Sequence, residues 1–67
     1  MKITLNHREE TFDAETLTVA EIIRLKKFTF RMLVTKLNGQ VIKVDEREKV
    51  YVKDGDNLEV IHLISGG

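Results

Sequence analysis

Hydrophobic and polar residues alternate at the start of the chain. Ile3 and Leu5 point one way and Lys2, Thr4 and Asn6 the other, the period of a half-buried strand. Asn6-His7-Arg8-Glu9 reads as a polar turn, and Thr11-Phe12 as a short second strand that makes a hairpin with the first. From Leu17 the period changes. Thr18 followed three positions later by Glu21 is a capping box, and Leu17 with Ile22 has the spacing of the hydrophobic staple that accompanies one. These signals predict a helix from about Val19 to Lys27 that buries Val19, Ile22 and Ile23. Lys26 and Lys27 suit its last turn, where the helix dipole favours cations, but no glycine follows to close it.

Beyond the helix, Phe30 to Leu37 has the composition of a strand. It runs into Asn38-Gly39, the strongest short hairpin signal, because both central residues of a type I′ turn need positive φ. Gln40 to Val44 is the return strand, Asp45 to Lys49 a charged loop or single turn, and Val50 to Val52 a further short strand. Asp54-Gly55-Asp56 is a tight turn before Leu58 to Ile64, the last and most apolar strand. Strands interrupted by one helix imply an α+β fold with the helix on one face of a sheet. The first and last strands are both rich in Ile and Leu, so pairing them in parallel at the sheet centre, under the helix, buries both. The expected architecture is therefore a β-grasp: a mixed sheet of four to five strands with one helix packed across one face. Residues 1–64 form the domain, and Ser65-Gly66-Gly67 a flexible tail.

Size narrows the function. A chain of 67 residues has room for one small core. A domain this small buries only about 60% of the surface its unfolded chain exposes, whereas a ligand pocket typically takes roughly 300–1,000 Å³. That argues against a self-contained enzyme, and no residue is assigned a catalytic role. There is no cysteine, which removes disulfides, thiolate metal sites and thiol nucleophiles together and fits a cytoplasmic location. Lys plus Arg number 11 and Asp plus Glu number 11, so the basic excess of a nucleic-acid binder is missing. No apolar run approaches the ~20 residues of a membrane span, and no membrane partner is expected. His7 and His62 lack further ligands at metal-site spacing; the first reads as a solvated turn residue and the second as a strand residue near the tail. Asp54 and Asp56 shape a turn, because the rest of a calcium loop is absent. Lys26-Lys27 and Glu46-Arg47-Glu48-Lys49 read as solvated charge, and His62 with Ser65 has no third group to make a catalytic set.

The informative feature is the final Ser65-Gly66-Gly67. One reading is a frayed end. The other is chemical: a segment without side chains can thread a narrow cleft in a partner and present the Gly67 carboxylate to ATP. A carboxylate is a poor acyl donor until adenylation supplies a good leaving group. A sulfur nucleophile then displaces AMP and leaves a thiocarboxylate on Gly67, with no cysteine required.

The order of elements, the Thr18-Val19-Ala20-Glu21 helix start, the Asn38-Gly39 hairpin, Asp54-Gly55-Asp56 before the last apolar strand and the terminal Gly66-Gly67 resemble the ThiS family of sulfur carriers in thiamine thiazole biosynthesis. The likeness covers essentially the whole chain. It implies a ubiquitin-like β-grasp fold, adenylation of Gly67 by a ThiF-like adenylyltransferase that uses ATP, and sulfur from a donor protein. It further implies delivery to a ThiG-like thiazole synthase, with no cofactor bound by the carrier itself. Many relatives carry a Pro-Arg pair shortly after the Asn-Gly hairpin, where this chain has Lys43-Val44-Asp45, and residues 45–53 are unusually charged; both differences bear on the identity of the partner. Three alternatives stand beside this reading: a MoaD-like carrier of molybdopterin synthesis or another sulfur-transfer pathway, a ubiquitin-like protein modifier, and a β-grasp interaction module that never reacts.

By analogy with ubiquitin-like domains, Leu58 and Val60 face the helix while Glu59, Ile61 and Leu63 face outward, with Met32, Val34 and Lys36 on the same outer face. Met32, Val34, Ile61 and Leu63 then form an apolar patch beside the tail, a candidate partner-binding surface. The inverted alternation would make these side chains core instead.

Overall fold

A computed structural model describes residues 1–28 and 32–63. Phe30 at the expected start of a strand, Ile64 at the expected end of another, and Ser65, Gly66 and Gly67 lie outside the described residues. The elements in chain order are β1 (Lys2–Leu5), β2 (Arg8–Thr11), β3 (Thr16–Thr18), α1 (Val19–Leu25), β4 (Leu33–Leu37), β5 (Gln40–Ile42), a 3-10 turn (Val44–Glu46), β6 (Tyr51–Lys53) and β7 (Asn57–His62). The main sheet has the order β2-β1-β7-β4-β5, and β3 pairs with β6 in a separate ribbon. β1 and β7 run parallel, with Leu5 beside Leu58, while the other neighbours in the main sheet are antiparallel. The parallel pairing of the first and last strands follows from their shared apolar residues, Ile3, Leu5, Leu58 and Val60, all of which are buried.

The β1–β2 hairpin is tighter than its sequence suggests. Asn6 and His7 have φ of 51° and 68°, so they alone form the turn, and β2 begins at Arg8 rather than at Thr11. Asn and His tolerate this left-handed region better than most residues, which makes a two-residue hairpin possible without glycine. Asn38 and Gly39, at φ of 50° and 86°, make the other two-residue turn where the Asn-Gly pair predicts it. The returning strand is shorter than expected, ending at Ile42 rather than Val44.

The helix starts as its capping box requires. The Glu21 amide donates to Thr18 Oγ1 at 3.1 Å and the Thr18 amide to Glu21 Oε1 at 2.9 Å. Those bonds to Thr18 hold the Glu21 carboxyl below its ordinary pKa. Of the staple positions, Ile22 belongs to the core cluster and half-buried Leu17 packs against it. The helix ends at Leu25, two residues before its expected end, by a Schellman closure without glycine. Lys27 takes the left-handed position at φ 57°, its amide donates to the Arg24 carbonyl, and the Phe28 amide donates to the Ile23 carbonyl. Lys26 is not simply solvated: its ammonium lies 2.8 Å from Glu10 Oε1, a half-buried pair that ties the helix to β2.

β3 has no counterpart among the sequence expectations. Its three residues pair Leu17 with Val52 and Thr18 with Tyr51, so the helix cap is also a strand end. The core formed between the helix, β3–β6 and one face of the main sheet contains Ile3, Leu5, Val19, Ile22, Val52, Leu58 and Val60. Its far end is closed by polar bonds. Asp56 accepts from the Lys53 amide at 2.9 Å and from Asn38 Nδ2 at 3.1 Å, and the Lys2 amide donates to Asp54 Oδ1 at 2.7 Å. The two aspartates thus shape the turn around Gly55, which sits at φ 87°.

Candidate functional site: the free face of the last strand

β7 occupies the middle of the sheet and is the last strand of the chain, so the surface around its final residues is the candidate site. Burial alternates along the strand from Asn57 to Ile61, and His62 is exposed although it shares the parity of Leu58 and Val60. Leu58 is 0% and Val60 7% exposed under the helix, whereas Ile61 and Leu63 are 37% and 45% exposed. On β4, Thr35 is buried opposite Val60, and half-buried Val34 lies opposite Ile61. Met32, just before β4, is 54% exposed, and its carbonyl accepts from the Leu63 amide at 3.0 Å. Met32, Val34, Ile61 and Leu63 are therefore together on the face away from the helix.

That face changes character along its length. One step back from Ile61, Glu59 lies opposite Lys36, and the side chain of His7 stands 3.8 Å from Glu59 Oε2. The face thus passes from a charged half to an apolar half as it approaches the chain end. A partner docking here meets a surface that discriminates by both shape and charge. His62 lies opposite Leu33 and is solvent-exposed.

Two residues that the sequence reading did not single out converge on the same region. Asn6 Oδ1 accepts from the Val60 amide at 2.8 Å. Arg47 reaches β4, donating from Nε to Thr35 Oγ1 at 3.2 Å and from Nη2 to the Leu33 carbonyl. The expectation that Glu46-Arg47-Glu48-Lys49 is solvated charge is corrected at Arg47, which is half-buried and bonded through both Nε and Nη2. Thr35 supplies the reason. Its hydroxyl is fully buried and donates to the Ile42 carbonyl at 2.8 Å, leaving a lone pair that Arg47 fills. A threonine on the buried face of a strand was the available signal, but its partner lies twelve residues away in a run of mixed charge.

Elsewhere the surface offers little for chemistry. One groove of about 440 Å³ lies between the β2–β3 segment and the helix, lined by Phe12, Ala14, Leu17 and Leu25 with the Glu10–Lys26 pair at its edge. It shares no residue with the apolar patch. Among the described residues no cluster of three or more His, Cys, Asp or Glu has a metal-holding arrangement, and no helix is long and apolar enough to cross a membrane.

A mixed five-stranded sheet with its first and last strands parallel at the centre and one helix across one face defines a ubiquitin-like β-grasp protein. Comparison with known proteins narrows the class. The ThiS family matches over residues 2–67. The crystal structure of a thiamine biosynthesis protein (ThiS) from Geobacter metallireducens shares 33% identity with a TM-score of 0.90, covering 100% of both chains. The solution structure of a thiamine biosynthesis protein from Geobacter metallireducens shares 31% identity with a TM-score of 0.76, covering 100% of this chain and 88% of that one. The chain belongs to the ThiS family.

Proposed function

We propose that this ThiS-type sulfur carrier works through a thiocarboxylate formed on Gly67, in the service of thiamine thiazole synthesis. The Gly67 carboxylate attacks the α-phosphorus of ATP in the active site of a ThiF-like adenylyltransferase, and pyrophosphate leaves. A sulfide-level nucleophile supplied by a donor protein then adds to the acyl carbon and AMP leaves. The thiocarboxylate so formed carries sulfur to a ThiG-like thiazole synthase. The protein itself binds no cofactor and contributes no catalytic side chain in this reading; ATP is consumed by the partner. Ser65, Gly66 and Gly67 enter the partner's site, and Met32, Val34, Ile61 and Leu63 form the docking surface beside it.

The observation that carries this reading is the family match, which extends through Gly66 and Gly67. It is supported by an exposed apolar patch on the strand that leads to those glycines. Exposed apolar patches of this kind mark interaction sites. The test is ATP–pyrophosphate exchange with a ThiF-like enzyme. Exchange should depend on the carrier, vanish when Gly67 is deleted, and fall steeply for Ile61→Asp while the folded circular dichroism spectrum persists. Undiminished exchange with the Gly67-deleted chain would remove Gly67 as the adenylated group.

A further inference from the structure

The strands that flank β7 and β4 stop short of the patch. β1 pairs with β7 only as far as Leu5 beside Leu58, and then turns away at Asn6 and His7. β5 pairs with β4 only as far as Ile42 opposite Thr35; the position that would face Leu33 is Val44, which already lies in the 3-10 turn. Beyond Val60 and Thr35 the five-stranded sheet narrows to the two strands β4 and β7. Met32, Val34, Ile61 and Leu63 all sit on that narrow ribbon.

A two-stranded ribbon is marginal in water without side support. Its outward backbone groups have lost the strands that would satisfy them, and on each edge one side chain takes the place of a strand at one of those groups. The Met32 carbonyl points to β7, since it accepts from Leu63, so the Leu33 carbonyl points the other way, to the side β5 has left. Arg47 donates to that carbonyl and braces Thr35 beside it. On the opposite edge, the Leu58 carbonyl accepts from the Asn6 amide at 3.0 Å, and the next outward donor, the Val60 amide, is taken by Asn6 Oδ1.

We propose that Asn6 and Arg47 are positioning residues whose side chains substitute for the missing strands on either edge of the β4–β7 ribbon and hold steady the platform from which residues 64–67 continue. The arrangement serves recognition. Longer β1 and β5 strands would give the same hydrogen bonds but would widen the sheet beside the patch. Two compact side chains keep the ribbon narrow enough for a partner's cleft to close around it. The functional half of this inference rests on the proposed role of Gly67; the structural half does not.

The experiment compares Asn6→Gly, which keeps the left-handed turn and removes the acceptor, and Arg47→Met, which keeps the stem and removes the fork, with the conservative variants Asn6→Asp and Arg47→Lys. Backbone amide exchange is followed by NMR. Losing a charge-assisted or buried hydrogen bond should speed exchange at Val60 in Asn6→Gly, and at Ile61 and Leu63 in Arg47→Met, by roughly tenfold or more. Ile3, Leu5 and Ile22 should stay within about twofold of wild type. Asn6→Asp should restore protection at Val60, and Arg47→Lys should restore it in part. In adenylation assays the two disruptive variants should raise the KM for the carrier while leaving kcat near wild type. Unchanged rates at Val60, Ile61 and Leu63, or a uniform acceleration that includes Ile3, Leu5 and Ile22, would overturn the anchoring role. Local loosening with an unaltered KM would overturn the role in recognition. If wild-type protein accepts no AMP, the proposed function fails while the exchange data still decide the anchoring.

Discussion

Leu58 and Ile61 stand three residues apart on β7 and face opposite sides of the sheet, so truncating each should give sharply different results. Leu58 is fully buried, beside Leu5 on β1 and opposite Leu37 on β4. Leu58→Ala removes its contacts and leaves a cavity that the rigid sheet cannot close, a loss of about 3 kcal/mol. A domain of this length has a total stability of about 3–10 kcal/mol, so the variant keeps at best two-thirds of it and at worst none. With a urea slope of about 1 kcal/mol per molar for so small a protein, the midpoint should fall by about 3 M. Ile61 is 37% exposed, with half-buried Val34 opposite. Ile61→Ala removes a side chain partly in contact with water and leaves no enclosed cavity, so it should cost about 1 kcal/mol, well below Leu58→Ala. The assay is urea unfolding followed by far-ultraviolet circular dichroism, paired with binding of each variant to a ThiF-like enzyme. Leu58→Ala should lose stability out of proportion to affinity, and Ile61→Ala affinity out of proportion to stability. Equal destabilisation by the two would refute the assignment of faces, and with it the proposed docking patch.

Three further outcomes follow from local geometry. Lys27 holds a left-handed conformation that glycine adopts without steric cost, so Lys27→Gly should stabilise the domain by about 1 kcal/mol, read as a rise in the urea midpoint. Thr18→Ala deletes the side-chain half of the capping box and should cost about 1 kcal/mol by the same measurement. Burial alone would raise the pKa of Asp56, but the Lys53 amide, the Asn38 side chain and the Lys53 ammonium together bring it below its ordinary value. A carboxyl with a folded pKa below its unfolded value of about 3.9 adds stability above that pH and loses it as pH falls through the folded value. Wild-type stability should therefore drop below about pH 4 more steeply than that of Asp56→Asn, measured by urea midpoints across that range. Asp56→Asn should already be weaker at neutral pH, because its amide nitrogen must face a donor, either the Lys53 amide or Asn38 Nδ2.

Local periodicity carried the architecture wherever one face of an element is buried. Ile3 and Leu5, the Thr18–Glu21 box, Asn38-Gly39 and the alternation from Leu58 to Leu63 each announce their element, because burial or a special φ forces the residue type. The misses share an opposite cause. β3 is three residues whose pairing partner, Tyr51–Lys53, is more than thirty positions away, so nothing local marks it. The β1–β2 turn uses Asn6-His7 in place of a glycine pair, and the helix closes on Lys27, so at these three positions of positive φ no glycine marks the turn. At the site, the period of β7 separated its two faces, and the likeness to ubiquitin-like domains, not the period, chose which one faces outward. Asn6 and Arg47 were not, because their roles arise from where neighbouring strands stop, a property of the assembled sheet and not of either residue's surroundings in sequence.

The most direct measurement is fragmentation mass spectrometry of the intact carrier after incubation with ATP, a ThiF-like enzyme and a sulfide source. Replacement of one oxygen by sulfur adds roughly 16 mass units, and the gain should reside in the C-terminal fragment that ends at Gly67. A gain borne by any internal fragment, or one that survives deletion of Gly67, would contradict sulfur transfer through the main-chain terminus.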